Sequence, residues 1–94
     1  MEDRITKEKI EKYFSITSQA RDKVRGNFDE KRIKEAEDFF DMATRYFSDA
    51  QHFYKKGDYI NAFAAVNYAH GWLDSGARIG LFKVRDSRLF TVDD

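Results

Sequence analysis

The feature of this sequence that most restricts its fold is a short junction between two long apolar stripes. Before the junction, apolar residues recur every three or four positions, at Ile33, Ala36, Phe40, Ala43, Phe47, Ala50 and Tyr54. After it, a second stripe of apolar and small residues runs through Ala62, Ala65, Val66, Ala69, Trp72, Leu73 and Gly76. Such spacing predicts two helices that each bury one face. Because little more than Gly57, suited to end a helix, and Asp58, suited to cap the next, separates them, the two helices form an antiparallel hairpin.

A first helix precedes this hairpin and an irregular segment follows it. Thr6 is a suitable N-cap, and Gly26-Asn27 tolerates the left-handed conformation that ends many helices. The chain has 94 residues, five glycines and no proline, so residues that interrupt helices are scarce. We therefore predict a single all-α domain, a three-helix antiparallel up-down bundle with helices at about residues 6–25, 29–55 and 58–82 and a short irregular tail at residues 83–94. A short strand at residues 88–92 that pairs with a second copy is a further expectation.

Charge and cysteine content narrow the classes of function. Lys plus Arg and Asp plus Glu each number 17, so the formal net charge is zero. A dedicated nucleic-acid binder is usually strongly basic, whereas a neutral surface permits self-association. The chain has no cysteine, which excludes disulfides and thiolate metal ligands. It shows neither an apolar run long enough to span a membrane nor a signal peptide, so we expect a cytoplasmic protein with no metal, no cofactor and no membrane contact.

The second apolar stripe lies in a distinctive stretch of sequence. Residues 57–74 read GDYINAFAAVNYAHGWLD. This stretch closely resembles an archaeal family of small helical proteins known only as domain of unknown function 357, and residues 46–50 and 76–82 fit it too. The resemblance covers most of the chain from about residue 30. It implies an all-helical domain and implies no known reaction.

Residues 43–76 also resemble one tetratricopeptide unit, a repeat built from a pair of helices. The positions that fit are Tyr46, Ala50 and Phe53 on the first helix and Gly57, Tyr59, Ala62 and Ala69 on the second. Asp74 stands where that repeat has proline, and the chain holds no second repeat. Since a single unit cannot bury its own face, this resemblance implies that the first helix or another subunit covers it.

Arg45, Asp49 and His52 share one face of the second helix and carry a possible chemistry. The Arg and His loosely resemble the pair found in HEPN domains, small helical nucleases, although Tyr46 replaces the usual polar residue after the Arg. A neutral imidazole can take a proton from a ribose hydroxyl while a guanidinium steadies the phosphate. An ordinary exposed charge ladder of Asp41, Arg45 and Asp49 explains the same residues more simply. The ladder is the favoured interpretation, and an RNA-binding or RNA-cleaving domain is the alternative.

Asn67, His70 and Asp74 align on the third helix. His70 and Asp74 could supply half of a metal site, or a base with its orienting carboxylate. The chain holds two histidines in all, and neither belongs to a Glu-x-x-His pattern. A structural hydrogen-bond network is therefore the favoured use of these side chains, and we predict no metal site.

The aromatic residues are numerous for so small a chain, at 16% of its residues. Aromatics at helical spacing could stack nucleic-acid bases, but they are far more often core. Their surplus predicts a helix–helix interface, most simply in a homodimer. The predicted interface residues are Phe40, Phe47, Tyr54, Ala62, Ala69 and Trp72. The leading hypothesis is a non-enzymatic protein-interaction module that self-associates.

Overall fold

A computed structural model of the chain describes residues 4–92, which form three helices. Helix α1 runs over Lys7–Val24, α2 over Ile33–Lys55 and α3 over Tyr59–Arg78, and a single turn of 3-10 helix, Glu30–Arg32, precedes α2. Residues 93 and 94 of the predicted tail lie outside the described part of the chain. The all-α three-helix bundle with a short tail is therefore confirmed.

Local signals in the sequence set the helix starts. The Thr6 hydroxyl accepts the backbone N–H of Lys9 at 3.1 Å, and the Asp58 carboxylate accepts that of Asn61 at 3.2 Å. Each bond satisfies one of the backbone donors that a helix leaves unpaired at its first turn. Gly57 has a positive φ of 78°, as the tight turn between α2 and α3 requires.

Two predicted helix limits need correction. The third helix ends at Arg78 and not at Phe82, because Gly80 takes a positive φ of 80° and turns the chain. The backbone N–H of Leu81 then bonds to the carbonyl of Gly76 at 2.8 Å, which closes the helix end. The second helix begins at Ile33, because Asp29 caps the 3-10 turn and not α2 itself.

Ring contacts define how the helices run against one another. Phe39 on α2 meets Trp72 on α3 with 4.9 Å between ring centroids, and Tyr54 meets Tyr59 at 5.5 Å. These contacts make α2 and α3 antiparallel. Four alanines at their seam, Ala43, Ala50, Ala62 and Ala69, are fully buried and let the two backbones approach closely. Helix α1 lies parallel to α3, with Tyr13 against Phe63 at 5.2 Å.

The end of the bundle is closed by a short pairing of two chain segments. Phe28, between α1 and α2, forms an isolated antiparallel bridge with Phe82, just after α3. The backbone N–H of Asp29 donates to Leu81 at 2.8 Å, and that of Lys83 donates to Asn27 at 2.7 Å. The ring of Phe82 is 1% exposed and packs on Gly76, where the lack of a side chain leaves room for it.

The tail folds back over α1 and α3, and it does so as a turn. The backbone N–H groups of Leu89 and Phe90 both donate to the carbonyl of Asp86 at 2.9 Å. The strand predicted for residues 88–92 is therefore wrong for the described residues, because the turn already uses these donors. Leu89 and Phe90 are buried at 6% and 3% exposure, and they join the core that the helices form.

Candidate functional site

The first predicted site, on α2, is exposed and lies open to solvent. Arg45 pairs with Asp41, with 2.9 Å between Nε and Oδ2, as the charge-ladder interpretation expects. Asp49 and His52 are exposed, and the His52 ring lies beside Phe53 with 6.1 Å between centroids. Among the described residues, no hydrogen bond or ion pair joins Arg45, Asp49 and His52. The three share a helix face without forming a connected group.

The second predicted site, on α3, holds the tail. The carbonyl of Leu89 lies 2.7 Å from Nε2 of His70, so this nitrogen carries the proton, and the Thr17 hydroxyl donates to Nδ1 at 3.1 Å. The Asp74 carboxylate accepts both the backbone N–H and, at 2.7 Å, the hydroxyl of Thr91. Both side chains thus have structural hydrogen-bond partners.

The remaining member of that set, Asn67, donates its side-chain amide to the carbonyl of Phe63 in its own helix at 3.0 Å. Across residues 4–92, no group of three His, Cys, Asp or Glu residues is placed to hold a metal ion. Within the same residues, no helix is both long and apolar enough to cross a membrane.

The six predicted interface residues occupy three different places. Ala62 and Ala69 are fully buried and Phe47 is 7% exposed, so these three pack inside the chain's own bundle. Phe40 and Tyr54 lie half-buried along the groove between α1 and α2. Trp72 lies on the opposite side of the α2–α3 hairpin. The regular stripe of the hairpin therefore serves intramolecular packing, and a surface for a partner has to be sought elsewhere.

The groove between α1 and α2 is bridged by long side chains. A cleft of about 520 Å³ opens over Phe14 and Phe47, which meet edge to face with 5.6 Å between centroids. At one end, the Tyr54 hydroxyl donates to Glu11 at 2.9 Å. Desolvation of the phenol group is the main cause that raises the pKa of Tyr54 to about 12, and the hydrogen bond to Glu11 is the second. This pair ties α1 to the end of α2.

Arg21 crosses the same groove without an acidic partner. Its guanidinium carbon lies 5.1 Å from the ring centroid of Phe47 and 5.8 Å from that of Phe40. Its Nη2 donates to the Thr44 hydroxyl at 3.4 Å, whereas Nε is buried and has no partner among the described residues. Desolvation by burial is the main cause that lowers the pKa of Arg21, and the positive charge of Arg25 lowers it further. The sequence signal for this burial was its spacing from Phe14, which places Arg21 on the apolar face of α1.

Replacing Arg21 with methionine is expected to raise the free energy of unfolding by up to about 1 kcal/mol, because a partly desolvated charge without a counter-ion is removed and the apolar stem is kept. Chemical denaturation measures the change. Arg45→Met is the control, since it breaks an exposed ion pair and should cost no more than about 0.5 kcal/mol. A loss of stability at Arg21 larger than at Arg45 would show that the two ring contacts outweigh the desolvation.

The side of the hairpin that faces away from α1 is the second apolar surface. We call it the outer face; it comprises the aromatic residues Phe39, Tyr46, Tyr68 and Trp72 and the exposed residues Ile60, Ala64, Gly71 and Ser75 of α3. Tyr46 and Tyr68 meet edge to face with 4.4 Å between centroids. A cleft of about 330 Å³ opens beside Trp72, whose indole N–H is buried without a partner among the described residues. Tyr68 and Ile60 are 53% and 73% exposed.

The outer face also lacks charge along α3. Between Asp58 and Asp74 the sequence contains no Asp, Glu, Lys or Arg, although six of the residues in this interval are exposed. Exposed helix surfaces normally carry charged residues on the side opposite the core. This uncharged run was the signal in the sequence for the outer face, and the apolar stripe alone did not reveal it.

The fold and these surfaces define a class of protein: a small three-helix bundle with a tail folded back over α1 and α3 and an uncharged apolar outer face. The family described as Protein of unknown function (DUF357) matches residues 12–82, and the chain belongs to this family. The match confirms the resemblance seen in the hairpin and extends it into α1. Comparisons with curated proteins and with solved structures found no match.

Proposed function

We propose that this chain is a non-enzymatic helical protein-interaction module that associates with a second copy of itself through the outer face. The observation that carries the proposal is the exposed and uncharged surface of α3, on which Ile60 is 73% and Tyr68 53% exposed. Burying such side chains contributes roughly 25 cal/mol per Å² of apolar surface. An exposed apolar patch of this kind commonly marks an interface.

Charge favours a second copy as the partner. A charged group placed against this surface would lose water and gain no opposite charge, so the surface suits a partner that is uncharged as well. The outer face of a second copy meets that condition. The formal net charge of zero adds no long-range repulsion between copies, and twofold dimers are the commonest oligomers.

The test is the molar mass in solution. Light scattering during size-exclusion chromatography, over a wide range of protein concentration, should show a concentration-dependent dimer of the wild type. Tyr68→Glu should be monomeric, since it places a charge in the interface, while Gln19→Glu on the exposed side of α1 should behave as the wild type. A wild type that stays monomeric at every concentration, or a Tyr68→Glu variant that dimerises equally well, would overturn the proposal.

The alternative of an RNA-binding or RNA-cleaving domain that uses Arg45, Asp49 and His52 stays a prediction from the sequence. His52 is exposed and so remains accessible to a substrate. Ribonuclease activity that is present in the wild type and lost in His52→Ala would support it. The cytoplasmic location likewise stays a prediction.

A further inference from the structure

We infer that two copies pair their α3 helices antiparallel about a twofold axis between Asn67 and Tyr68, with Ile60 of each copy inserted in the cleft beside Trp72 of the other. This inference rests on the proposed self-association and assigns its contacts and its register. Its parts are a projecting side chain, a cleft of matching chemistry, and the spacing between them along α3.

The projecting side chain is Ile60, in the first turn of α3. At 73% exposure it is the most exposed large hydrophobic side chain of the described residues. An isoleucine is a stiff, branched side chain that loses little rotamer freedom when it is buried. It is therefore suited to fill a fixed cavity at an interface.

The cleft lies at the other end of the same helix. It has a volume of about 330 Å³ and is lined by Phe39, Tyr68, Gly71, Trp72 and Ser75. Gly71 leaves its floor open, because a Cβ atom built there would meet no atom within 4 Å. An aliphatic side chain fits a space that three aromatic side chains and two small residues line.

The spacing of these parts suits a twofold axis. In an antiparallel pair of helices centred between Asn67 and Tyr68, Ile60 lies opposite Ser75 and Ala64 lies opposite Gly71. The small side chain of Ser75 thus leaves room for Ile60 of the other copy. Ala64 and Gly71 are also small, so the two backbones can approach closely where they meet. Because the interface is isologous, each such contact occurs twice.

A parallel pairing of the same helices fits worse. It would set Ile60 against Ile60 and Tyr68 against Tyr68 of the second copy, and it would leave both clefts empty. It would also align the two helix dipoles and bring Asp58 against its own copy. In the antiparallel pair the dipoles oppose, and Asp58 of one copy lies near the level of Arg78 of the other, which has the opposite charge.

Cysteine cross-linking tests the register directly, because the native chain has no cysteine. The full-length variants Ala64→Cys and Gly71→Cys are oxidised separately and as an equimolar mixture. The antiparallel register predicts a disulfide-linked dimer in the mixture and little in either variant alone. If each variant cross-links alone, the antiparallel register is wrong. If no sample cross-links although light scattering shows a dimer, the register is also wrong. Either result leaves the proposed self-association standing.

A second set of variants tests the inserted side chain. Ile60→Glu should weaken the dimer by at least about 100-fold, since two buried isoleucines are lost at once. Ile33→Glu is the matched control, because Ile33 is 45% exposed, begins α2 and lies off the outer face; its dimer should be unchanged. Adding Ser75→Lys to Ile60→Glu should restore dimerisation, as the new charges face each other.

The outcomes separate the two proposals. A wild type that stays monomeric removes both. A dimer that Ile60→Glu weakens no more than Ile33→Glu, or that Ser75→Lys fails to restore, removes the insertion of Ile60 alone. Circular dichroism of every variant confirms that the helices are intact, which their exposed positions lead us to expect.

Discussion

Replacing Gly76 with alanine is expected to lower the free energy of unfolding by about 2–3 kcal/mol, the cost of overpacking a closed core. Gly76 is buried in the last turns of α3, and a Cβ atom there would overlap Cε2 of Phe82 and lie 2.6 Å from its Cδ2. The ring is packed in the core, so moving it away from the added methyl group would disturb its other contacts. Phe82 is 1% exposed, and its ring meets that of Phe28 with 5.5 Å between centroids.

Gly71→Ala is the control in the same helix. A Cβ atom at Gly71 meets nothing within 4 Å, so the usual helix preference for alanine should dominate. We expect this variant to gain roughly 0.5–1 kcal/mol at concentrations where the wild type is monomeric. The same substitution, five residues apart, thus changes stability in opposite directions. Urea denaturation of both variants measures the difference.

The double variant Gly76→Ala with Phe82→Leu tests the cause. If the clash between Cβ and the ring is responsible, the smaller side chain should recover part of the loss, which gives a coupling free energy between the two positions. Equal stability changes at Gly76 and Gly71 would show instead that Phe82 is not held against α3. The pairing of Phe28 with Phe82 would then contribute little to stability.

The helices were predictable because their signals are local. The period of the apolar residues and the caps Thr6 and Asp58 act within a few residues of the chain. At the end of α3, where prediction failed, a local turn and a distant segment act together. Leu81 and Phe82 continue the helical pattern, but the positive φ of Gly80 turns the chain, and pairing with the segment around Phe28 then holds both residues outside α3.

The candidate site was less predictable for a related reason. A stripe such as Ala62 and Ala69 shows that a face is buried, and it does not show whether the chain or a partner buries it. In this fold the chain's own helices bury these residues. The uses of His70 and Asp74 depended on where the tail goes, which their spacing along α3 cannot reveal. The uncharged run of α3 is more informative than the buried stripe. It includes the residues on the exposed side of the helix, where charged residues are normally found.

Stability at low pH is expected to depend on Asp86, which fixes the tail to the bundle. Asp86 is 7% exposed. Its carboxylate accepts a hydrogen bond from Arg88 Nη2 at 2.8 Å and forms an ion pair with Lys23, whose Nζ lies 3.1 Å from Oδ2. The hydrogen bond from Arg88, and then that from Lys23, holds the pKa of Asp86 well below its usual range. The Lys23 contact joins the tail to α1, so this carboxylate acts across distant parts of the chain.

The sign of the pH effect follows from that lowered pKa. In the unfolded chain an aspartate takes up its proton near pH 4, whereas folded Asp86 stays ionised to a lower pH. Its contribution is therefore complete above about pH 5 and is lost progressively as the pH falls below about 4. We expect Asp86→Asn to be less stable than the wild type at pH 7 and the difference to narrow towards pH 2. Urea denaturation across this range measures it.

Asp22→Asn separates this effect from the general loss of stability in acid. Asp22 is exposed on α1 and makes no ion pair with a described residue, so its variant should stay close to the wild type at every pH. Amide hydrogen exchange at neutral pH gives a second measurement. The N–H groups of Leu89 and Phe90, which bond to the carbonyl of Asp86, should exchange faster in Asp86→Asn than in Asp22→Asn. A gap between Asp86→Asn and the wild type that stays constant from pH 7 to pH 2 would mean that the shape of this side chain, and not its charge, holds the tail in place.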